Sequence, residues 1–166
     1  LHSLQKYSSK LDYCRSFVVY LLHVAKIFCR QRIMDKYAFE YEMKVRDYEC
    51  DIQGVVNNAN YQHYMEHARH EFLESVGVSF SELHDEGIDL MVSKITIEYK
   101  RPLRGSDRFA VRINTVRKGA KLIILQDIYN LADETLSVKG EVEVVCLKNG
   151  RLTRGEIFDE IFKDLN

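Results

Sequence analysis

The sequence predicts an α+β domain, with one long helix wrapped by a strongly curved antiparallel sheet of about five strands. Two observations carry this. Residues 60–76 place Tyr61, Tyr64, Met65, Ala68, Phe72, Leu73 and Val76 at the spacing of a single helical face. Several runs of alternating apolar and polar residues then follow, separated by turn-forming residues, as antiparallel strands do. A hydrophobic helix lying on one face of such a sheet is the α+β arrangement.

Taken in order, Tyr37 to Val45 alternates and reads as a first strand. A loop with Asp51 and Gly54 leads to the helix, for which Asn57 or Asn58 is the expected N-cap and Gly77 the stop. Ser79 to Glu86 reads as one or two helical turns closed by Gly87. Leu90 to Tyr99 is the second strand, and Pro102, the only proline, interrupts the ladder after it. Arg108 to Val116 alternates, with Phe109, Val111, Ile113 and Thr115 on one side and Arg108, Ala110, Arg112 and Asn114 on the other. Lys118-Gly119-Ala120-Lys121 is a hairpin turn. Leu122 to Tyr129 and Leu136 to Leu147 complete the meander at the Asn149-Gly150 turn, and a short helix is expected from Glu156 to Lys163.

Composition narrows the function classes. The 166 residues suit one domain, and 46% hydrophobic residues suffice for a core. A net charge of −1 argues against a nucleic-acid binder, which needs a basic face. Charge is uneven. Lys6, Lys10, Arg15, Lys26, Arg30, Arg32 and Lys36 stand against only Asp12 and Asp35. Residues 1–36 therefore read as a basic leader, and 37–166 as the domain. Ser3, Ser8, Ser9 and Ser16 give the leader the composition of a transit peptide, the other reading being an extension outside the fold. Its apolar run, Phe17 to Ala25, is too short to span a membrane. Cys14, Cys29, Cys50 and Cys146 show no CxxC spacing, so free thiols are expected.

Asp51 is the candidate for chemistry, because it precedes a helix start, where unpaired N–H groups can hold a developing oxyanion. From the residues alone it is a base, a nucleophile or a cap. Asp47 and Glu49 fall on the same face by alternation and are expected to cover the surface, and Cys50 reads as a small buried residue. His63, His67 and His70 share one side of the helix, but HYMEH is not HExxH and offers no fourth ligand. No metal and no cofactor is expected. The chain has no GxSxG elbow, P-loop or GxGxxG run.

The stretch VRDYECDIQGVVNNANYQHYMEHARHEF (residues 45–72) resembles the hot-dog-fold acyl thioesterases of the 4-hydroxybenzoyl-CoA thioesterase type. The shared elements are Asp51, Gly54, the Val55-Val56-Asn57-Asn58 run, Tyr61, and Glu66 and Arg69 on the helix. IEYKRPLRGSDRF (97–109) resembles a later strand-turn segment of that family. Within it the chain looks similar to plant plastid acyl-ACP thioesterases related to methylketone synthase 2. The resemblance implies a hot-dog fold and hydrolysis of fatty acyl or 3-oxoacyl thioesters to free fatty or 3-keto acids. It assigns Asp51 as base or nucleophile, the Asn58 backbone N–H as oxyanion donor, and Gly54, Asn57 and Tyr61 as their neighbours at the substrate. It implies acyl carrier protein as partner. Because such a carrier is acidic, Lys100, Arg101 and Arg104 beside Pro102 are candidate docking residues, the favoured other reading being a solvated turn. It further implies a homodimer or homotetramer and a plastid stroma location. The alternatives are an acyl-CoA thioesterase, cytoplasmic if the leader is not a transit peptide, and a non-catalytic acyl-binding dimer. A hydratase is disfavoured because the HxxxxGxFP-like signature is absent.

Overall fold

The structure is a computed structural model, and it describes residues 36–162. The expectation of a leader over residues 1–36 lies outside the described residues, apart from Lys36. Strands β1 (Phe39–Lys44), β2 (Ile88–Tyr99), β3 (Arg108–Lys118), β4 (Lys121–Asn130) and β5 (Thr135–Lys148) form one antiparallel sheet. Their order is β1-β3-β4-β5-β2, and the two-residue β6 (Arg151–Leu152) adds to β5. The sheet curls around helix α1 (Asn58–Ser75), the hot-dog arrangement. Helices α2 (Phe80–Asp85) and α3 (Glu156–Ile161) are short.

Strand order explains how α1 is positioned. β1 and β2 flank the helix in sequence yet lie at opposite edges of the sheet. The helix therefore carries the chain across the whole inner face. Its apolar stripe is buried there: Tyr61, Tyr64, Met65, Ala68, Phe72 and Leu73. Burying each large apolar side chain contributes about 1.5–3 kcal/mol. The packing is tight at Gly140 of β5, where an added Cβ would lie 2.5 Å from Met65 Cε and 2.7 Å from the Gln126 carbonyl oxygen. A larger residue would clash with the β4 backbone at Gln126 and force the Met65 side chain to move. At its C-terminus Phe72 stacks on Phe162, the rings 5.6 Å apart, which closes that end of the core.

Boundaries differ from expectation by a residue or two. The helix starts at Asn58 rather than Asn60, capped by Asn57 Oδ1, which accepts from the Ala59 N–H at 3.0 Å. Asn149 and Gly150 both take positive φ (49° and 74°), as a tight hairpin requires. The expected C-terminal helix ends at Ile161, and Lys163 lies outside the described residues.

Two local features were not expected. β2 carries a bulge between Val92 and Lys94 that drops Ser93 from the register, and the Ser93 hydroxyl donates instead to the Glu143 carbonyl of β5 at 3.1 Å. The extra residue resets the alternation, so Leu90, Val92, Ile95, Ile97 and Tyr99 all face the helix side. On β3 the second face is not solvated either, since Ala110 and Arg112 are fully buried. Arg112 pairs in register with Asp127, and their neighbours Ile113 and Gln126 face the helix. Arg112 therefore lies on the outer face, under a cluster described in the Discussion.

Candidate active site

Between β1 and α1 the chain is not extended. Asp47–Glu49 forms a 3-10 turn, so the alternation that grouped Asp47, Glu49 and Asp51 on one face does not hold. Glu49 is 7% exposed rather than covering the surface. Its carboxylate accepts from the Arg46 backbone N–H (2.6 Å), the Arg46 Nη1 (3.1 Å) and the Tyr64 hydroxyl (2.8 Å). Burial, and then the bond to Glu49, pushes the Tyr64 hydroxyl far above its ordinary value. The Glu49 carbonyl accepts from the Asn57 N–H at 2.9 Å and Asn60 Nδ2 at 2.7 Å. Glu49 therefore ties the segment before Asp51 to the first turn of α1. Spacing in the sequence carried no signal of this, because the partners come from a turn and a helix.

Asp51 follows in a tight turn. Its Oδ1 accepts from the Gln53 N–H at 2.8 Å, and its carbonyl accepts from the Gly54 N–H at 2.9 Å. Gly54 sits at φ 72°, which gives the loop its turn as expected. The capping reading of Asp51 is thus true of one oxygen. Among the described residues no hydrogen bond is made to the other, Oδ2, and the carboxylate is half-buried.

The helix start offers one donor. The Ala59 N–H goes to Asn57 Oδ1, the Asn60 N–H to the Asn57 carbonyl, and the Asn57 N–H to Glu49. Among the described residues nothing accepts from the Asn58 N–H. The Asn58 carbonyl accepts from the Tyr99 hydroxyl at 3.1 Å, which ties the end of β2 to the helix start. Asp51, Asn58, Tyr61, Tyr99, Lys100 and Arg101 line one cleft of about 340 Å³. An acid and a helix-start amide facing one space can activate water and hold an oxyanion.

The other expected site residues are placed differently. Gly54 and Asn57 do not line the cleft. Asn57 uses its Oδ1 to cap the helix and its N–H on the Glu49 carbonyl, and it is exposed. The Tyr61 hydroxyl accepts from the Leu103 N–H at 3.0 Å, and burial raises its pKa. Arg104 is not at the cleft; it bridges Val55 instead. Cys50 is half-buried and free. The three histidines are exposed but do not form one group. His63 and His67 face the β1 side, whereas His70 packs on Phe80 at the β2 side. Among the described residues no three His, Cys, Asp or Glu side chains are placed to hold a metal ion.

A larger concavity, about 890 Å³, lies between β1 and α1 beside His63, Tyr64 and His67. Asp51 is not on it; of the three acids that are, Glu42 is paired with Arg108, Glu49 already accepts from three donors, and Asp47 belongs to the 3-10 turn. Size alone does not make it the site.

The profile of the thioesterase-like superfamily matches residues 45–162, which contain both the cleft and its supports. The chain belongs to this superfamily. It is 51% identical over 73 residues to a chloroplastic acyl-acyl carrier protein thioesterase, ATL3, of Arabidopsis thaliana. It is 39% identical over 113 residues to a second, ATL2. The matched regions span 38% and 59% of those relatives and 44% and 66% of this chain. It is also 34% identical to the acyl-CoA thioester hydrolase YbgC of Escherichia coli, over 69% of this chain and 85% of that one. Among solved structures, a hypothetical protein of Aquifex aeolicus superposes with TM-score 0.68 at 30% identity, covering 74% of this chain and 98% of that one. A 1,4-dihydroxy-2-naphthoyl-CoA thioesterase of Synechocystis shares the fold, with TM-score 0.70 at 20% identity over 76% and 96% of the two chains.

Proposed function

We propose that this superfamily member hydrolyses fatty acyl thioesters, with Asp51 and the Asn58 N–H as its working groups. The observation that carries the reading is their meeting in one cleft, each with an unused hydrogen-bonding position. Asp51 takes a proton from water as the water oxygen attacks the thioester carbonyl carbon. The carbonyl oxygen becomes an oxyanion and accepts from Asn58. Collapse breaks the C–S bond, and the proton held by Asp51 passes to the leaving thiolate, releasing acid and thiol and restoring the carboxylate. In the other form of the step the carboxylate attacks directly and the resulting anhydride is hydrolysed. Oxygen-18 entering the enzyme in a single turnover in labelled water marks that form.

An acyl carrier protein is the proposed carrier, and the plastid the proposed location, on the strength of the two Arabidopsis relatives. Lys100 and Arg101 at the cleft suit an acidic carrier. YbgC supports coenzyme A as the second reading. A homo-oligomer is proposed from β2. It ends the sheet, and its Met91 and Tyr99 are each 50% exposed.

The test is a panel of acyl-ACP and acyl-CoA substrates on wild type and Asp51→Asn. Wild type should hydrolyse acyl-ACP, and the variant should lose about 10²-fold to 10⁴-fold in kcat. Undiminished turnover by Asp51→Asn removes Asp51 from the chemistry. Failure of wild type on every thioester favours an acyl-binding dimer.

A further inference from the structure

The two flanks of α1 are filled differently. On the β1 flank the buried acid, Glu49, has three donors. On the β2 flank a slot of about 130 Å³ opens between the second half of α1 and the sheet. A cavity of about 150 Å³ holds a benzene-sized guest, so this one has room for a short alkyl segment. Its walls are mostly apolar, among them Leu73, Phe80, Leu90 and Ile124, and Glu66, Arg69 and His70 enter from α1.

Arg69 is the anomaly. It is 8% exposed. Its Nη1 donates to Gln126 Oε1 at 2.8 Å, and Gln126 Nε2 donates to the Met65 carbonyl at 2.8 Å. Among the described residues it has no ion pair; exposed Glu66, one turn earlier, attracts it only at longer range. Burial therefore pulls the Arg69 guanidinium below its ordinary value, opposed by Glu66. A guanidinium carries five N–H donors. A buried charge is ordinarily paired, yet here one neutral acceptor serves; none of the Arg69 nitrogens is buried without a partner, and the side chain lines the slot.

The slot and the Asp51 cleft lie on one seam. β2 runs antiparallel to α1. Tyr99, at its end, bonds Asn58, while Leu90 and Val92, near its start, share the slot with Arg69. From Asn58 to Arg69 the helix rises about 16 Å. An extended chain advancing about 1.25 Å per bond covers about 15 Å in the dozen or so bonds from a carbonyl carbon at Asn58 to an oxygen on the twelfth carbon, close to the rise to Arg69. Ile95 and Ile97, on the helix side of β2 and not fully buried, give that path an apolar wall.

We propose that the slot recognises an oxygen function at the far end of the acyl chain, a hydroxyl above all. The hydroxyl oxygen accepts from Arg69, and its proton is donated to Glu66 at the mouth. A carboxylate would meet the Glu66 charge and gain less. This deepens the thioesterase reading and rests on it.

The experiment compares kcat/KM for dodecanoyl, 12-hydroxydodecanoyl and dodecanedioic mono-thioesters, each carried on acyl carrier protein and on coenzyme A, using the full chain. Wild type should favour the hydroxyl over the methyl terminus about tenfold, the worth of one good hydrogen bond. Arg69→Met should bring the two to within about twofold, and Arg69→Lys should keep part of the preference. Glu66→Gln, at an exposed position that does not threaten the fold, should lower the hydroxyl preference and raise use of the dicarboxylic substrate. Equal rates on the hydroxyl and methyl substrates, or a preference for either other terminus, overturn the proposal in wild type without any variant. So does an Arg69→Met that becomes monomeric in sedimentation with selectivity unchanged, because Arg69 would then serve contact between two copies. If no thioester is hydrolysed, the thioesterase reading fails, and calorimetry with free 12-hydroxydodecanoate and dodecanoate judges the slot alone. Tighter binding of the hydroxy acid supports it, and equal binding ends it.

Discussion

Arg112 and Arg69 are both buried, on opposite faces of one sheet, and their surroundings are opposites. Arg112 is wholly buried on the outer face. Its Nε donates to Glu40 at 2.6 Å and its Nη2 to Glu134 at 2.8 Å, and the guanidinium lies 4.5 Å over the Tyr129 ring. Tyr37 extends the cluster by donating to Asp127 at 2.6 Å. Burial, and then that bond to Asp127, pushes the Tyr37 hydroxyl far above its ordinary value. Burial pulls the Arg112 guanidinium down, but its bonds to Glu40 and Glu134 outweigh this and the net direction is up. Arg69 has one neutral acceptor and is shifted down. A charge neutralised in place belongs to the fold's own structure. Arg69 meets no carboxylate at bonding distance and lines a cavity, whereas Arg112, although its Nη1 is buried without a hydrogen-bond partner, sits within a carboxylate network.

The sharpest way to break this comparison is to remove each guanidinium in turn. Arg112→Met leaves Glu40 and Glu134 facing each other with little solvent. Breaking such a buried network costs about 3–5 kcal/mol. Arg69→Met leaves only the Gln126 Oε1 without its donor, which costs about 1–3 kcal/mol. Urea unfolding of both variants should rank Arg112→Met well below Arg69→Met. An Arg69→Met loss as large as that of Arg112→Met would mean that the inner guanidinium is equally committed to the fold.

Glu49 is a buried anion with three donors, whereas Arg112 keeps one nitrogen, Nη1, buried without a hydrogen-bond partner. Glu49→Gln keeps the size but turns an amide against the Arg46 and Tyr64 donors. A loss of about 1–3 kcal/mol is expected. Because the Glu49 backbone also holds the start of α1, the displacement should pass to Asp51 and Asn58. We expect kcat to fall by roughly tenfold or more while KM moves little, since small misplacements of reacting groups are costly. Unchanged kcat with lowered stability would confine Glu49 to the fold.

These contrasts also mark what the sequence could show. Periodicity located α1 and the five long strands, because one face of each is apolar and the periods 3.6 and 2 differ. It located the Asp51 turn through Gly54 and the helix start through Asn57. It misplaced Glu49 because a 3-10 turn breaks the alternation that a strand would have kept. The bulge in β2 did leave a trace, the three-residue gap between Val92 and Ile95 in an otherwise alternating run. The state of Arg69 left none: its acceptor, Gln126, lies 57 residues away on β4, and only the packed sheet shows that no carboxylate comes with it.

The smallest expected effect comes from a charge pair that is not buried at all. His84 of α2 and Asp89 of β2 meet at 2.7 Å, with side chains 74% and 36% exposed. The hydrogen bond to Asp89, and then its charge, raises the His84 pKa above the ordinary 6.5. The folded state therefore favours the protonated ring. The resulting stabilisation is fully present below the unfolded-state pKa and disappears as pH rises through the raised folded value. Solvent and salt screen such a pair, so the change should be slight beside those at Arg112 and Glu49. NMR titration of the His84 ring should show its midpoint falling in Asp89→Asn, and stability should become flatter between about pH 6 and pH 8 in that variant. An unmoved midpoint would show that the pair does not persist in solution. A stability change rivalling that of Arg112→Met would contradict the view that burial, rather than pairing as such, makes a charge matter to this fold.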